Sequence, residues 1–133
     1  MELIKIDFRK TNSKIKNTNN SLLRALKSLA KPLELSEYVK EECTNKDIYV
    51  CSATNGKDCG VLLTHYNDND CTDKTSADIV LSGIPKNSSI SVYILDENND
   101  MTLYNEITSS STRCEIILDL PLFTSYYIEI KEI

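Results

Sequence analysis

A period of two constrains this chain more than any other feature. Ile90, Val92 and Ile94 alternate with Ser91 and Tyr93; Cys114, Ile116 and Leu118 alternate with Arg113, Glu115 and Asp119; Tyr126, Ile128 and Ile130 alternate with Glu129 and Lys131. Successive side chains of a strand point to opposite faces, so each run builds a strand with one dry and one wet face. After Pro32 such runs recur about every eight to twelve residues, the spacing of an antiparallel sandwich or barrel. Strands are expected near residues 35–41, 47–53, 60–66, 76–81, 89–95, 101–107, 113–118 and 126–131. Turn residues separate them at Asn55-Gly56, Gly83-Ile84-Pro85-Lys86-Asn87 and Asp96-Glu97-Asn98-Asn99-Asp100.

The N-terminal part reads differently. Ile4, Ile6 and Phe8 face away from Lys5, Asp7 and Arg9, which predicts a strand over residues 1–9, followed by a polar linker over 10–20. Leu22, Ala25, Leu26, Leu29 and Ala30 recur at helical spacing between the cap residues Asn20 and Ser21 and the terminator Pro32, which predicts an amphipathic helix over 21–31. The fold class is therefore mainly β: one domain over 1–133, an antiparallel β-sandwich of about eight to nine strands with one short N-terminal amphipathic helix.

Length and charge narrow the function. A chain of 133 residues suits one domain and is too short for a barrel enzyme of about 250 residues. The net charge of −5 argues against nucleic acid, which needs clustered Lys and Arg on one face. No apolar run approaches the roughly 20 residues of a membrane span, and residues 1–8 alternate where a signal peptide would be continuously apolar. A cytoplasmic location is expected. The five cysteines include no C-x-x-C pair and accompany a single histidine, which argues against zinc. Cys43, Cys51 and Cys59 fall on successive expected strands, where a reduced thiol serves as a small buried hydrophobe.

Few residues point to chemistry. His65 has no Gly-x-Ser-x-Gly nucleophile elbow to partner it and is expected to be a solvent-facing strand histidine. The acids gather in turns and not across a cleft, as glycoside hydrolysis would require. Asp68, Asp70 and Asp73 form the densest set of oxygen ligands and the one calcium loop the sequence offers. That loop lacks the glycine and terminal glutamate of an EF-hand, and a tight connection selects the same residues. No other cofactor is expected. With no Trp, a sugar-stacking face would have to come from tyrosines, with Tyr93, Tyr104 and Tyr127 as candidates.

Four stretches carry a resemblance to a known family. They are Ile48-Tyr49-Val50-Cys51-Ser52-Ala53, the run from Gly60 to Asp70, Ile79 to Pro85, and Ser91 to Asp100 with its Tyr93-Ile94-Leu95-Asp96 hairpin. In order they resemble the C-terminal β-sandwich of β-xylosidase and α-L-iduronidase type glycoside hydrolases. Leu26-Lys27-Ser28-Leu29-Ala30-Lys31 resembles the end of the last barrel helix in such enzymes, so the likeness runs from about Leu22 to Ile133.

The family's two catalytic glutamates lie on its barrel, and no segment here matches the motifs that carry them. The resemblance also implies that the strand over Glu2 to Phe8 completes the sandwich. The expected function is that of a non-enzymatic accessory or orphan domain in interdomain packing or protein interaction. Its partner would be a catalytic barrel, or a second copy bound through the helix Leu22 to Ala30. The alternatives are a carbohydrate-binding module for xylan-type oligosaccharides and a glycosidase.

Overall fold

The alternation is realised as nine strands, in a computed structural model that describes residues 2–12, 20–43, 45–66 and 75–133. They are β1 (Glu2–Asn12), β2 (Glu37–Cys43), β3 (Ile48–Thr54), β4 (Cys59–His65), β5 (Thr75–Ser82), β6 (Ser88–Leu95), β7 (Thr102–Ser109), β8 (Arg113–Leu120) and β9 (Ser125–Glu132). One α-helix, α1 (Asn20–Leu29), and a 3-10 turn (Lys31–Leu33) complete the described elements. The expected calcium ligands Asp68, Asp70 and Asp73 lie outside the described residues, as does Cys71.

The strand order is β7-β6-β9-β4-β3-β2-β1-β5-β8. All neighbours are antiparallel except β1 and β5, which run parallel from Glu2↔Ala77 to Asp7↔Ser82. The sheet folds over at β2. Glu37, Tyr38 and Val39 pair with β3, and Glu41, Glu42 and Cys43 pair with the start of β1. Between its pairs Ile6↔Glu41 and Thr11↔Val39, β1 takes five steps to two on β2, and this bulge turns the corner. Two layers result, with Ile4, Ile6, Ile79 and Leu81 facing Val61, Leu63, Ile128 and Ile130 across one core.

A second, smaller core lies on the other side of β3, β4 and β9. There Leu23, Leu26 and Ala30 of the helical segment meet Leu33, Leu35, Cys51, Ala53, Leu62 and Tyr127. β4 is therefore apolar on both faces, and this is why it reads as an apolar run with no visible alternation. Gly60 makes the close approach possible, since a Cβ there would stand 2.8 Å from Leu35 Cδ1 and 3.4 Å from Leu26 Cδ1.

Three expectations change. His65 is not solvent-facing: it is fully buried, because β4 turns Cys59, Val61, Leu63 and His65 inward together. The segment 10–20 is not all linker, since β1 runs on to Asn12 and α1 begins at Asn20. The helix ends at Leu29, before the expected residue 31, and Pro32 sits within the 3-10 turn that follows. No helix among the described residues is long and apolar enough to cross a membrane.

Candidate functional site

The most distinctive surface lies beside α1. Its stripe of Leu23, Leu26 and Ala30 is used up against the sheet, while Leu22, Ala25, Ser28 and Leu29 form one wall of a groove of about 420 Å³. Leu95, Asp100 and Met101 from the β6–β7 turn form the opposite wall, and Leu62, Thr64 and Ser125 line its base. Thr64 Oγ1 and Ser125 Oγ lie 2.8 Å apart and share one hydrogen bond, which leaves the base one hydroxyl proton to donate.

The far wall is held by an Asx-type turn. Asp96 Oδ1 accepts hydrogen bonds from Asn98 N at 2.8 Å and Asn99 Nδ2 at 2.9 Å. These donors, Asn98's backbone foremost, hold the Asp96 carboxyl below its ordinary range. Met101 follows with a φ of 51°, a left-handed conformation that methionine seldom adopts. The turn thus holds Met101 against the groove at some cost in backbone strain.

The three candidate tyrosines do not form one face. Tyr93 and Tyr127 stack at 5.8 Å with 22° between their planes on the α1 side of the sheet, and Tyr127 is buried. Burial, reinforced by the hydrogen bond that Tyr127 donates to Glu129 Oε2 at 2.9 Å, pushes this phenol's pKa up. Tyr104 lies on the opposite face, edge-on to Tyr126 at 5.6 Å, and is half exposed. The candidates thus fall into a stacked pair, with Tyr127 buried and Tyr93 half-buried, and one separate ring.

Three titratable constellations stand out, and the first two were not singled out from the sequence. At the β2 corner, Ser52 Oγ lies 3.0 Å from both Val39 O and Glu41 Oε2, and Tyr38 donates to Glu41 Oε1 at 3.3 Å. Burial outweighs these bonds and raises the Glu41 pKa. On the outer face of β5 and β8, the neighbouring Asp78 carboxyl lifts the Glu115 pKa. Asp78 Oδ1 is itself buried without a hydrogen-bond partner among the described residues.

The third is His65. Its Nδ1 stands 2.8 Å from Leu120 O, a carbonyl that only accepts, so Nδ1 carries a proton. Nε2 is buried with no partner among the described residues. The sequence signal for Asp78 and Glu115 was their outward parity on two strands, but their meeting depends on a β5–β8 register that joins residues far apart in the chain.

No family model matches the chain, and no curated protein matches it in sequence. Solved structures do match its fold. A glucosidase from Croceicoccus marinus aligns with a TM-score of 0.66 at 10% identity, over 79% of this chain and 30% of its own. A GH30 endoxylanase from Clostridium papyrosolvens C71 aligns at 0.56 and 17% identity, over 76% and 25%. A Paenibacillus polymyxa xyloglucanase from glycoside hydrolase family 44 aligns at 0.55 and 20% identity, over 72% and 19%. The chain thus spans under a third of each of these proteins, and what it shares with that part of glycoside hydrolase chains is a β-rich sandwich fold.

Proposed function

We propose that this chain is a non-catalytic accessory sandwich, related to the C-terminal domain of β-xylosidase and α-L-iduronidase type glycoside hydrolases, that works by packing against a partner domain of the barrel class. The observation that carries this reading is the groove beside α1, a concavity lined mainly by apolar side chains. Its helical wall is the segment that resembles the end of a last barrel helix. The match to less than a third of glycoside hydrolase chains supports the same reading, since in those proteins a fold of this kind is one part of a larger chain.

The paired carboxyls Asp78 and Glu115 weigh little for catalysis, because they sit on an open sheet face beside the exposed Leu3 and Ile117. Hydrolysis needs two acids on opposite sides of a bound sugar, roughly 5 Å or more apart, and not in mutual contact.

Aryl xylosides and related glycosides should show no turnover with the purified chain. A rate that Asp78→Asn or Glu115→Gln removes would overturn the non-catalytic reading. The packing role has its own test. Ala25→Arg, an exposed change on the groove wall, should leave the circular dichroism spectrum unaltered and abolish association with a barrel polypeptide lacking its own sandwich.

A further inference from the structure

Strand β8 pairs with β5 on one side and, among the described residues, with nothing on the other, although it is eight residues long and carries no proline or lysine. Such an edge presents a row of unpaired backbone donors and acceptors that folded proteins normally cover, shorten or charge against pairing. Its outer face bears Arg113, Glu115, Ile117 and Asp119, and its inner face Cys114, Ile116, Leu118 and Leu120. Ile117 is 61% exposed in the middle of this edge.

We infer that β8 is the contact between two copies of this chain, joined as an antiparallel β8–β8 pair centred on Ile116. The occupant follows from the order of charges. Directly opposed residues of an antiparallel pair face the same side of the sheet, so a two-fold axis between identical strands passes through a residue and never between two. Four centres, Glu115, Ile116, Ile117 and Leu118, keep more than half of the strand paired.

Centred on Glu115, the pair sets Glu115 against itself. Centred on Ile117, it sets Glu115 against Asp119. Like charges directly opposed are destabilising, and both registers contain them. Centred on Ile116, Arg113 lies opposite Asp119 of the second copy, and symmetry repeats that contact. Glu115 then covers Ile117 of the second copy with its aliphatic stem, and Ile116 meets its own equivalent beneath. Centred on Leu118, the pair sets Ile117 against Asp119 with neither repulsion nor attraction, so of the two registers free of repulsion only the one centred on Ile116 has opposite-charge pairs, and it keeps more of the strand paired.

Both charges are available for this. Arg113 Nη1 reaches Glu115 Oε2 only at 3.9 Å, and Asp119 Oδ1 accepts one hydrogen bond from Ser76 Oγ at 3.2 Å, which leaves further acceptor sites. The pairing would extend the layer of β1, β5 and β8 into its symmetry copy as one continuous sheet. The α1 groove belongs to the other layer, so this contact stands whether or not that groove holds a partner.

The test is sedimentation equilibrium of the full chain across concentration, with charge reversals at exposed positions. The wild type should form a salt-sensitive dimer. Arg113→Asp alone and Asp119→Arg alone should each weaken it about tenfold or more, since two attractive pairs become repulsive. Arg113→Asp combined with Asp119→Arg should restore it. Circular dichroism should be the same for all four proteins. A chain that stays monomeric throughout, a double variant no better than the singles, or a dimer dissolved by Ala25→Arg or Tyr104→Arg and untouched by the β8 reversals would each overturn the pairing.

Discussion

At the β2 corner a single hydroxyl faces two acceptors. Ser52 Oγ has one proton to give, yet both Val39 O and Glu41 Oε2 lie 3.0 Å away. Protonation of Glu41 resolves the conflict, because the carboxyl then donates to Ser52 Oγ and frees the serine proton for Val39 O. Burial favours the same state and raises the Glu41 pKa. A carboxyl whose folded pKa is raised contributes stability that is complete below its ordinary value of about 4.5 and is lost as pH rises through the folded value. Glu41→Gln keeps both hydrogen bonds, with the amide donating to Ser52 Oγ and accepting from Tyr38. It should therefore raise the thermal midpoint by a few degrees at pH 7, about 1 kcal/mol, and change it little at pH 4. A gain of equal size at both pH values would mean that the carboxylate is not disfavoured at this corner. The cysteines supply a second check at this scale. Burial pushes the thiols of Cys51 and Cys59 up to about 12 and about 11. Alkylation followed by mass spectrometry should label Cys43 and Cys114, which are partly exposed, well before Cys51 and Cys59.

Among the elements, β1 is closely constrained at its bulge. Its bulge carries Arg9 over Asp7, with Arg9 N, Nε and Nη2 all donating to that carboxylate at 2.9 to 3.0 Å. Gly83, just after β5, has a φ of 72°, and a Cβ there would stand 2.9 Å from Arg9 N and 2.6 Å from Arg9 Cγ. Backbone cannot swing away as a side-chain tip can. Gly83→Ala should cost about 2 to 3 kcal/mol in chemical denaturation, one part from the left-handed conformation and one from the clash. Gly60→Ala, whose nearest obstacle is the mobile end of Leu35, should cost less. The legibility of the elements follows how many of their faces are wet. β6, β8 and β9 show in the sequence because polar residues mark their outer faces, and β1 shows through Lys5 and Arg9. His65 was misread because α1 covers the outside of β4, so Leu62 is as apolar as Val61 and Leu63 and the parity disappears. The α1 groove was legible only as a helical stripe. Its far wall depends on the strained Met101 and on a β6–β7 turn whose position relative to α1 no local pattern records.

The whole molecule depends on a strand drawn from the far end of the sequence. β1 lies between β2 and β5, so removing it splits the order into β7-β6-β9-β4-β3-β2 and β5-β8, two pieces that then share only side-chain packing. Ile4, Ile6 and Phe8 are all buried, and burial of side chains this size stabilises by about 1.5 to 3 kcal/mol each. Their sum, before any ladder hydrogen bond is counted, approaches the 5 to 15 kcal/mol typical of a whole domain. A chain beginning at residue 13 should therefore lack a cooperative thermal transition and dispersed amide resonances. The β1–β5 pair is parallel and joins Leu3 to Asp78, a contact that cannot form until a long loop closes, so folding should be slow for a chain of this size. Because β1 is bound through two ladders and a row of apolar side chains, and not through a covalent turn to either neighbour, it should be replaceable in trans. A synthetic peptide of residues 2–12 in excess should restore the transition and the resonances, and Ile4→Lys with Ile6→Lys in that peptide should abolish the rescue. Cooperative unfolding of the shortened chain without peptide would show that β2 and β5 can close the sheet alone, and that the N-terminal strand is an addition to the sandwich and not its keystone.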